Sequence, residues 1–232
     1  PRGSARSFGS GLRHGAMKGY AFPDGACEAA GTRFLHPYSA VCNGVILAYL
    51  ALFLARRRWR ICRAHVICIL CQLTFEAVHF LCHLYRGALG GHCFAAIHMA
   101  GLAMTTAFAI VVDAPRWMYF SYVCSDLVLF AYGALPNVHA LFIFVHIAMF
   151  AGAAVLRGVP LRRATISIVA TGAYYAVDSM FCRTLVSWSS VFPWHVLVEM
   201  GGFFVFLSVN ESLLQAGSDA SWGGPPSARK AR

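Results

Sequence analysis

The chain has 232 residues, of which 59% are hydrophobic and only 12% are charged. This composition is far more apolar than that of a soluble domain and excludes a cytosolic globular fold. The net charge is +10, but the basic residues lie between long apolar runs, which argues against a nucleic-acid partner and indicates membrane topology instead.

Seven apolar runs of about 20 residues, the length that crosses a bilayer as a helix, follow one another along the chain. Segments that contain Arg, Gly or Pro separate them. The predicted spans one to seven cover residues 37–55, 64–85, 89–112, 117–135, 137–156, 164–185 and 194–214. Residues 1–36 and 215–232 are rich in small and polar residues and are predicted to be flexible tails. The sequence thus predicts an all-α fold, an integral membrane bundle of seven transmembrane helices over residues 37–214.

Basic residues are distributed unequally between the two sides of this bundle. The loops of one side carry only Arg86 and Arg183. The other side carries Arg56, Arg57, Arg58, Arg60, Arg63, Arg116, Arg157, Arg162, Arg163, Arg229, Lys230 and Arg232. Because loops rich in Lys and Arg stay in the cytoplasm, the N terminus is predicted to lie outside and the C-terminal tail in the cytoplasm. Trp59 and Trp117 then fall at the inner interface. We expect a multi-pass protein of the secretory pathway or the plasma membrane.

Ionisable side chains are costly inside a bilayer, so their positions carry most of the functional signal. The acidic residues within predicted spans include Glu76, Asp126, Asp178 and Glu199, and the histidines include His79, His83, His92, His98, His139, His146 and His195. With alternating helix directions, nearly all of them fall in the outer half of the membrane. The inner half is nearly free of such groups, which argues against a proton path across the bilayer.

These side chains also share helix faces. Gln72, Glu76, His79 and His83 form one stripe on span two, and His195 and Glu199 lie one turn apart on span seven. Lipid cannot satisfy such stripes, so they must face the bundle interior or a water-filled cavity. Imidazoles and carboxylates on facing helices are the ligands of catalytic zinc sites. The same groups can instead form interhelical hydrogen bonds that hold the bundle together.

Three segments carry a family resemblance: TFEAVHFLCHLYR in span two, DAPR between spans three and four, and AVDSMFCR followed by FPWHVLVE in spans six and seven. At these positions the chain resembles the CREST superfamily of seven-helix membrane proteins. That superfamily includes alkaline ceramidases, GPI-lipid remodelling proteins, adiponectin receptors and the myomaker-like group.

The resemblance implies zinc ligands on two spans. His79 would be the ligand of span two, although Phe75 stands where the family has a serine four residues earlier. On span seven the family has two histidines four residues apart. Either His195 is the first of the pair and Glu199 replaces the second, or His195 is the second and Val191 replaces the first.

The resemblance also implies an activity. An intact site would use a zinc-activated water to attack an amide or ester carbonyl of a membrane lipid, with Glu76 or Asp178 accepting the proton. We therefore expect catalytic groups at Glu76 and Asp178, and a zinc ion bound by His79, His195 and Glu199. The alternative from another class is a non-enzymatic seven-helix receptor, scaffold or fusion-type factor with a structural polar or zinc site.

Overall fold

A computed structural model describes residues 36–84, 93–118, 162–189 and 192–219, with a few single positions between 120 and 152. Every secondary-structure element in this part of the chain is an α-helix, which confirms the all-α prediction for it. The helices are α1 (Pro37–Arg57), α2 (Arg63–Leu84), α3 (Cys93–Val111), α4 (Arg162–Trp188) and α5 (Val196–Asp219). They match predicted spans one, two, three, six and seven. Predicted spans four and five lie largely outside the described residues.

Three of the described helices are long and apolar enough to cross a membrane: α1, α2 and the Val196–Gln215 part of α5. The α3 helix contains a shorter apolar stretch, Met99–Val111. The α4 helix is the most polar of the five, and its backbone departs from helical geometry at Phe181 (φ −117°, ψ 19°). These lengths fit a membrane protein, while the count of seven spans and the orientation of the chain ends stay predictions.

The helix ends follow local chemistry more closely than hydropathy. Pro37 stands in the first turn of α1, where a missing N–H costs nothing. The same helix continues beyond residue 55 through Arg56 and Arg57, because arginine is a good helix former and stabilises the negative end of the helix dipole. The α5 helix runs past the predicted boundary at 214 to Asp219. The apolar length of a segment predicts that it spans the membrane, but the helix ends only where its terminal backbone groups form other hydrogen bonds.

The predicted break at DAPR is a helix-terminating turn. Asp113 adopts a left-handed backbone with φ of 51°. Its N–H donates to the carbonyl of Ile110 at 3.1 Å, and the N–H of Ala114 donates to the carbonyl of Ala109 at 2.9 Å. This pair of bonds is the Schellman pattern that satisfies the last carbonyls of a helix. Pro115 follows and prevents continuation of α3.

The helices pack in a continuous chain of contacts. The α1 helix contacts both α2 and α5, α3 packs on α2, and α4 packs on α5. One apolar cluster joins Cys68 near the start of α2 with Val112 after α3, Ala164 near the start of α4 and Leu213 of α5. A second cluster, centred on Ile46, joins α1 with α2 and α5. The start of α2, the end of α3, the start of α4 and the end of α5 therefore lie at the same end of the bundle.

The α4 and α5 helices approach each other closely at Gly201. A Cβ atom added there would lie 2.5 Å from the Thr171 hydroxyl oxygen and 2.8 Å from its methyl carbon. A Cβ added at the neighbouring Gly202 would meet nothing within 4 Å. Small residues permit such close approach of helices in membranes, where packing takes over much of the role of the hydrophobic effect.

We predict that Gly201→Ala lowers the stability of the purified chain by about 1–3 kcal/mol, because the new methyl group overlaps Thr171. Thermal unfolding in detergent measures this loss. Gly202→Ala is the matched control and should be neutral or slightly stabilising, since alanine favours helix. Adding Thr171→Ala to Gly201→Ala should restore part of the stability. Equal melting of the two single variants would contradict the close approach.

Candidate metal centre

Polar side chains from four helices meet where α1 begins and α2 ends. All but one of them are buried, and the exception, His79, is only slightly exposed. We call this group the polar cluster; its members are His36, Asn43, Glu76, His79, His83, Asp178, His195 and Glu199. The stripe predicted on α2 and the pair predicted at the start of α5 thus face each other inside the bundle.

Glu199 lies at the centre of the polar cluster. Its Oε2 accepts a hydrogen bond from Asn43 Nδ2 at 2.6 Å and lies 3.9 Å from His79 Nδ1. Its Oε1 lies 3.3 Å from Nε2 of His83 and 3.3 Å from Nε2 of His195. The Glu199 carboxylate therefore contacts side chains of α1 and α2 and that of His195, the residue immediately before α5.

The two histidines beside Glu199 are each held through their other ring nitrogen. His195 Nδ1 lies 2.7 Å from Asp178 Oδ2 of α4. His83 Nδ1 lies 3.0 Å from His36 Nδ1, and the backbone N–H of His36 donates to the carbonyl of His83 at 2.9 Å. A bond at one nitrogen fixes the ring and directs the other, which is how outer residues orient histidine ligands in metal sites.

Asn43 bridges two carboxylates. Its side-chain nitrogen donates to Glu76 Oε2 at 3.0 Å and to Glu199 Oε2 at 2.6 Å. The residue is completely buried, and its side-chain oxygen has no hydrogen-bond partner within the described residues. Because an unsolvated carboxylate is costly, the two N–H groups of this amide are what allows Glu76 and Glu199 to lie so close together.

Three residues of the polar cluster, His79, His83 and Glu199, could hold a metal ion, and we call them the metal-capable group. One ligand atom from each of His79, His83 and Glu199 lies within 4.8 Å of the others. Two imidazoles and one carboxylate are a donor set of catalytic zinc sites, which leave a further position open. The residues present therefore fit a zinc ion by their chemistry and their mutual distances.

The structure places all five predicted site residues in the polar cluster, but only two of them belong to the metal-capable group. His79 and Glu199 belong to the metal-capable group, whereas His195 lies against Glu199 from outside it. Glu76 reaches Glu199 through Asn43, and Asp178 reaches it through His195. The predicted ligands and the predicted catalytic carboxylates are thus parts of one connected network.

Three members of the cluster were not assigned a role from sequence. His83 lies on the predicted stripe without a ligand role, His36 is the last residue of the predicted tail, and Asn43 is the only amide in span one. The single amide in an otherwise apolar run was the available signal for Asn43. The side chains of His92, His98, Asp126, His139 and His146 lie outside the described residues.

A second buried network ties α2 to α5 nearer the opposite end. His65 Nε2 donates to Asn210 Oδ1 at 3.0 Å, and Asn210 Nδ2 donates to Gln72 Oε1 at 2.7 Å. Gln72 therefore pairs away from the polar cluster, although its spacing places it on the same stripe. The end of the bundle opposite the polar cluster is thus less apolar than the sequence suggests. Because the amides of Asn210 and Gln72 do not titrate, this network links the two helices by hydrogen bonds and is not a proton relay.

Comparison of the chain with models of known protein families, with curated proteins and with solved structures finds no match.

We predict that Asn43→Leu destabilises the purified chain by about 3 kcal/mol, because it removes the shared donor of two buried carboxylates. Loss of melting temperature in detergent is the measurement. Val45→Ala, at an exposed position of the same helix, is the control and should change little. If Asn43→Leu melts like Val45→Ala, the bridge contributes nothing to the fold.

Proposed function

We propose that the chain is a seven-helix membrane protein of the CREST type whose polar cluster binds zinc and hydrolyses an amide or ester bond in a membrane lipid. The observation that carries this proposal is the convergence of His79, His83 and Glu199 within 4.8 Å. It occurs among helices of which three are long and apolar enough to cross a bilayer. Buried imidazoles and carboxylates in such helices mark functional sites because they are costly to retain otherwise.

The proposed placement in the membrane has the N terminus outside and the C terminus in the cytoplasm. This placement is supported by the difference between the two ends of the bundle. The polar cluster lies where α1 begins and α2 ends, whereas the arginine-rich turn, residues 56–63, lies at the other ends of those two helices. Positive charge stays in the cytoplasm, so the polar cluster belongs to the outer or lumenal half, where a lipid substrate of that leaflet would reach it.

The proposed roles follow from the contacts. His79, His83 and Glu199 hold the metal, and a zinc ion in such a donor set supplies a Lewis acid for carbonyl polarisation and water activation. His36 orients His83, and Asp178 orients His195 beside Glu199. Glu76, held next to Glu199 by Asn43, is the carboxylate proposed to accept a proton during hydrolysis.

The first test is the metal content of the purified full-length chain in detergent, by elemental analysis. We expect about one zinc per chain, and loss of that zinc in His79→Ala and in His83→Ala. His65→Gln, which keeps a donor for Asn210 at the opposite end, is the matched control and should retain the metal.

His195→Ala distinguishes the ligand set His79, His83 and Glu199 from the set that the resemblance implies, which includes His195. Retention of zinc would favour His79, His83 and Glu199 as the ligands, and loss of zinc would place His195 among them. A folded chain that binds no zinc would exclude the metal and with it the hydrolase.

We further predict that Glu76→Gln keeps the zinc but lowers lipid hydrolysis by about 100-fold or more, the usual effect of removing a proton-transfer group. Release of free fatty acid from amide-linked and ester-linked lipids in proteoliposomes measures it. Thr74→Ala, exposed on the same helix, is the control. Unchanged hydrolysis in the Glu76→Gln chain would remove Glu76 from the mechanism.

A second candidate function is that of a non-enzymatic receptor, scaffold or fusion-type factor. The observation that favours it is that the polar cluster already links α1, α2, α4 and α5 by direct contacts. Interhelical polar contacts of this kind stabilise membrane bundles without any chemistry. For such a protein, substitutions in the cluster would lower stability and leave no activity to lose.

A further inference from the structure

The turn between α1 and α2 concentrates positive charge. Residues 56–63 include five arginines, of which only Arg57 is partly buried and the rest are exposed. No acidic residue occurs between Glu28 and Glu76. The turn is short and held by a backbone hydrogen bond from the N–H of Arg60 to the carbonyl of Arg57 at 2.8 Å. The turn therefore carries five guanidinium groups with no acidic residue near them in the sequence.

Other helices add arginines to the same end of the bundle. The apolar cluster that includes Cys68, Ala114 and Ala164 brings the turn after α3 and the start of α4 beside the start of α2. Arg116 and Arg163 follow or lie next to these residues and are exposed. We call this surface the arginine end; its members are Arg56, Arg58, Arg60, Arg63, Arg116 and Arg163.

Acidic groups offset little of this charge. Among the acidic side chains that the structure describes, Asp113 and Glu211 lie at this end. Glu211 is partly buried and, with Arg57, interacts electrostatically with the Tyr49 hydroxyl, so it faces inward. The arginine end keeps a large positive excess, and the partner that complements it is an anion.

Aromatic residues indicate the depth of this surface in the membrane. Trp59 is 82% exposed and Trp117 is 59% exposed, and tryptophan favours the headgroup level of a bilayer. The Arg58 guanidinium carbon lies 4.3 Å from the centre of the Trp59 ring, a cation–π contact. The arginines that flank these rings therefore lie at the level of lipid phosphates and do not project far beyond it.

We propose that the arginine end binds an anionic phospholipid headgroup that bears phosphate monoesters, as a phosphoinositide does. Clusters of four to eight basic residues next to a transmembrane helix attract such lipids. Every basic residue of the surface is an arginine, and the only lysines of the chain are Lys18 and Lys230. Membrane orientation requires only charge, which lysine supplies equally, whereas a guanidinium also binds phosphate through two parallel hydrogen bonds.

This inference depends on the membrane placement proposed above and is independent of the metal. Extraction of membranes with alkaline carbonate tests whether the chain is integrated in the membrane. Release of the chain by carbonate would overturn that integration, and with it this inference, but would leave the zinc measurement standing.

The binding test uses the purified full-length chain in phosphatidylcholine nanodiscs and adds a short-chain phosphatidylinositol bisphosphate, followed by tryptophan fluorescence. We expect saturable binding that Arg58→Gln, Arg60→Gln and Arg63→Gln together weaken by about 100-fold, at about fivefold per arginine. Arg86→Gln, which removes an arginine predicted on the other side of the membrane, should bind like the parent chain.

Two comparisons distinguish headgroup recognition from simple charge attraction and from binding of free phosphate. The triple lysine variant, Arg58→Lys with Arg60→Lys and Arg63→Lys, keeps the charge and should still bind about tenfold more weakly, because it loses the paired hydrogen bonds of the guanidinium. Inorganic phosphate at the same concentration should not compete. Equal binding by the lysine variant, or equal binding of phosphatidylserine at matched charge, would overturn recognition of the monoester headgroup. Competition by inorganic phosphate would overturn the lipid as the ligand.

Discussion

The arrangement of helices depends on one buried carboxylate, Glu199. A carboxylate without water must find donors inside the protein, because its desolvation costs several kcal/mol. Glu199 accepts a hydrogen bond from Asn43 of α1, and its other oxygen lies 3.3 Å from a ring nitrogen of His83 of α2 and of His195 just before its own helix. His195 in turn holds Asp178 of α4. Sliding any of these helices by one turn would leave a charged or polar group unpaired, so the cluster sets the relative register of α1, α2, α4 and α5.

Apolar packing alone would specify this register poorly in a membrane. Lipid chains are as apolar as leucine side chains, so helices gain little by hiding leucine from them. What distinguishes one register from another is polar pairing and close fit. The His65, Asn210 and Gln72 network supplies a second polar contact between α2 and α5, and the close approach at Gly201 fixes α4 against α5. Polar contacts at both ends of the α2–α5 pair therefore hold these helices at two levels.

Sequence reasoning succeeds where a property belongs to a single helix. Apolar length located the five described helices, and the spacing of Glu76, His79 and His83 placed them on one face, as the structure confirms. The spacing within one helix does not predict which residues of other helices these side chains contact. Gln72 shares that face but pairs with Asn210, because its depth in the bundle, and not its angular position, decides which residue of α5 it meets. Asn43 and His36 likewise gain their importance only from residues distant in sequence.

The members of the metal-capable group could likewise not be predicted from one helix alone, because the ligands come from different helices. Sequence alone connected His79 with His195 and Glu199 through a family resemblance, and left open which residues of span seven bind. The structure adds His83, whose Nδ1 is held by a residue that precedes the first helix, and engages the Nδ1 of His195 with Asp178. A histidine whose one nitrogen is held by a carboxylate can still bind metal through the other. The choice therefore depends on distance, and His83 rather than His195 shares the 4.8 Å group with His79 and Glu199. Two of the ligands, His79 and His83, lie one turn apart on α2, and the third, Glu199, lies on α5. The geometry of the metal centre therefore depends on how α2 and α5 are positioned relative to each other.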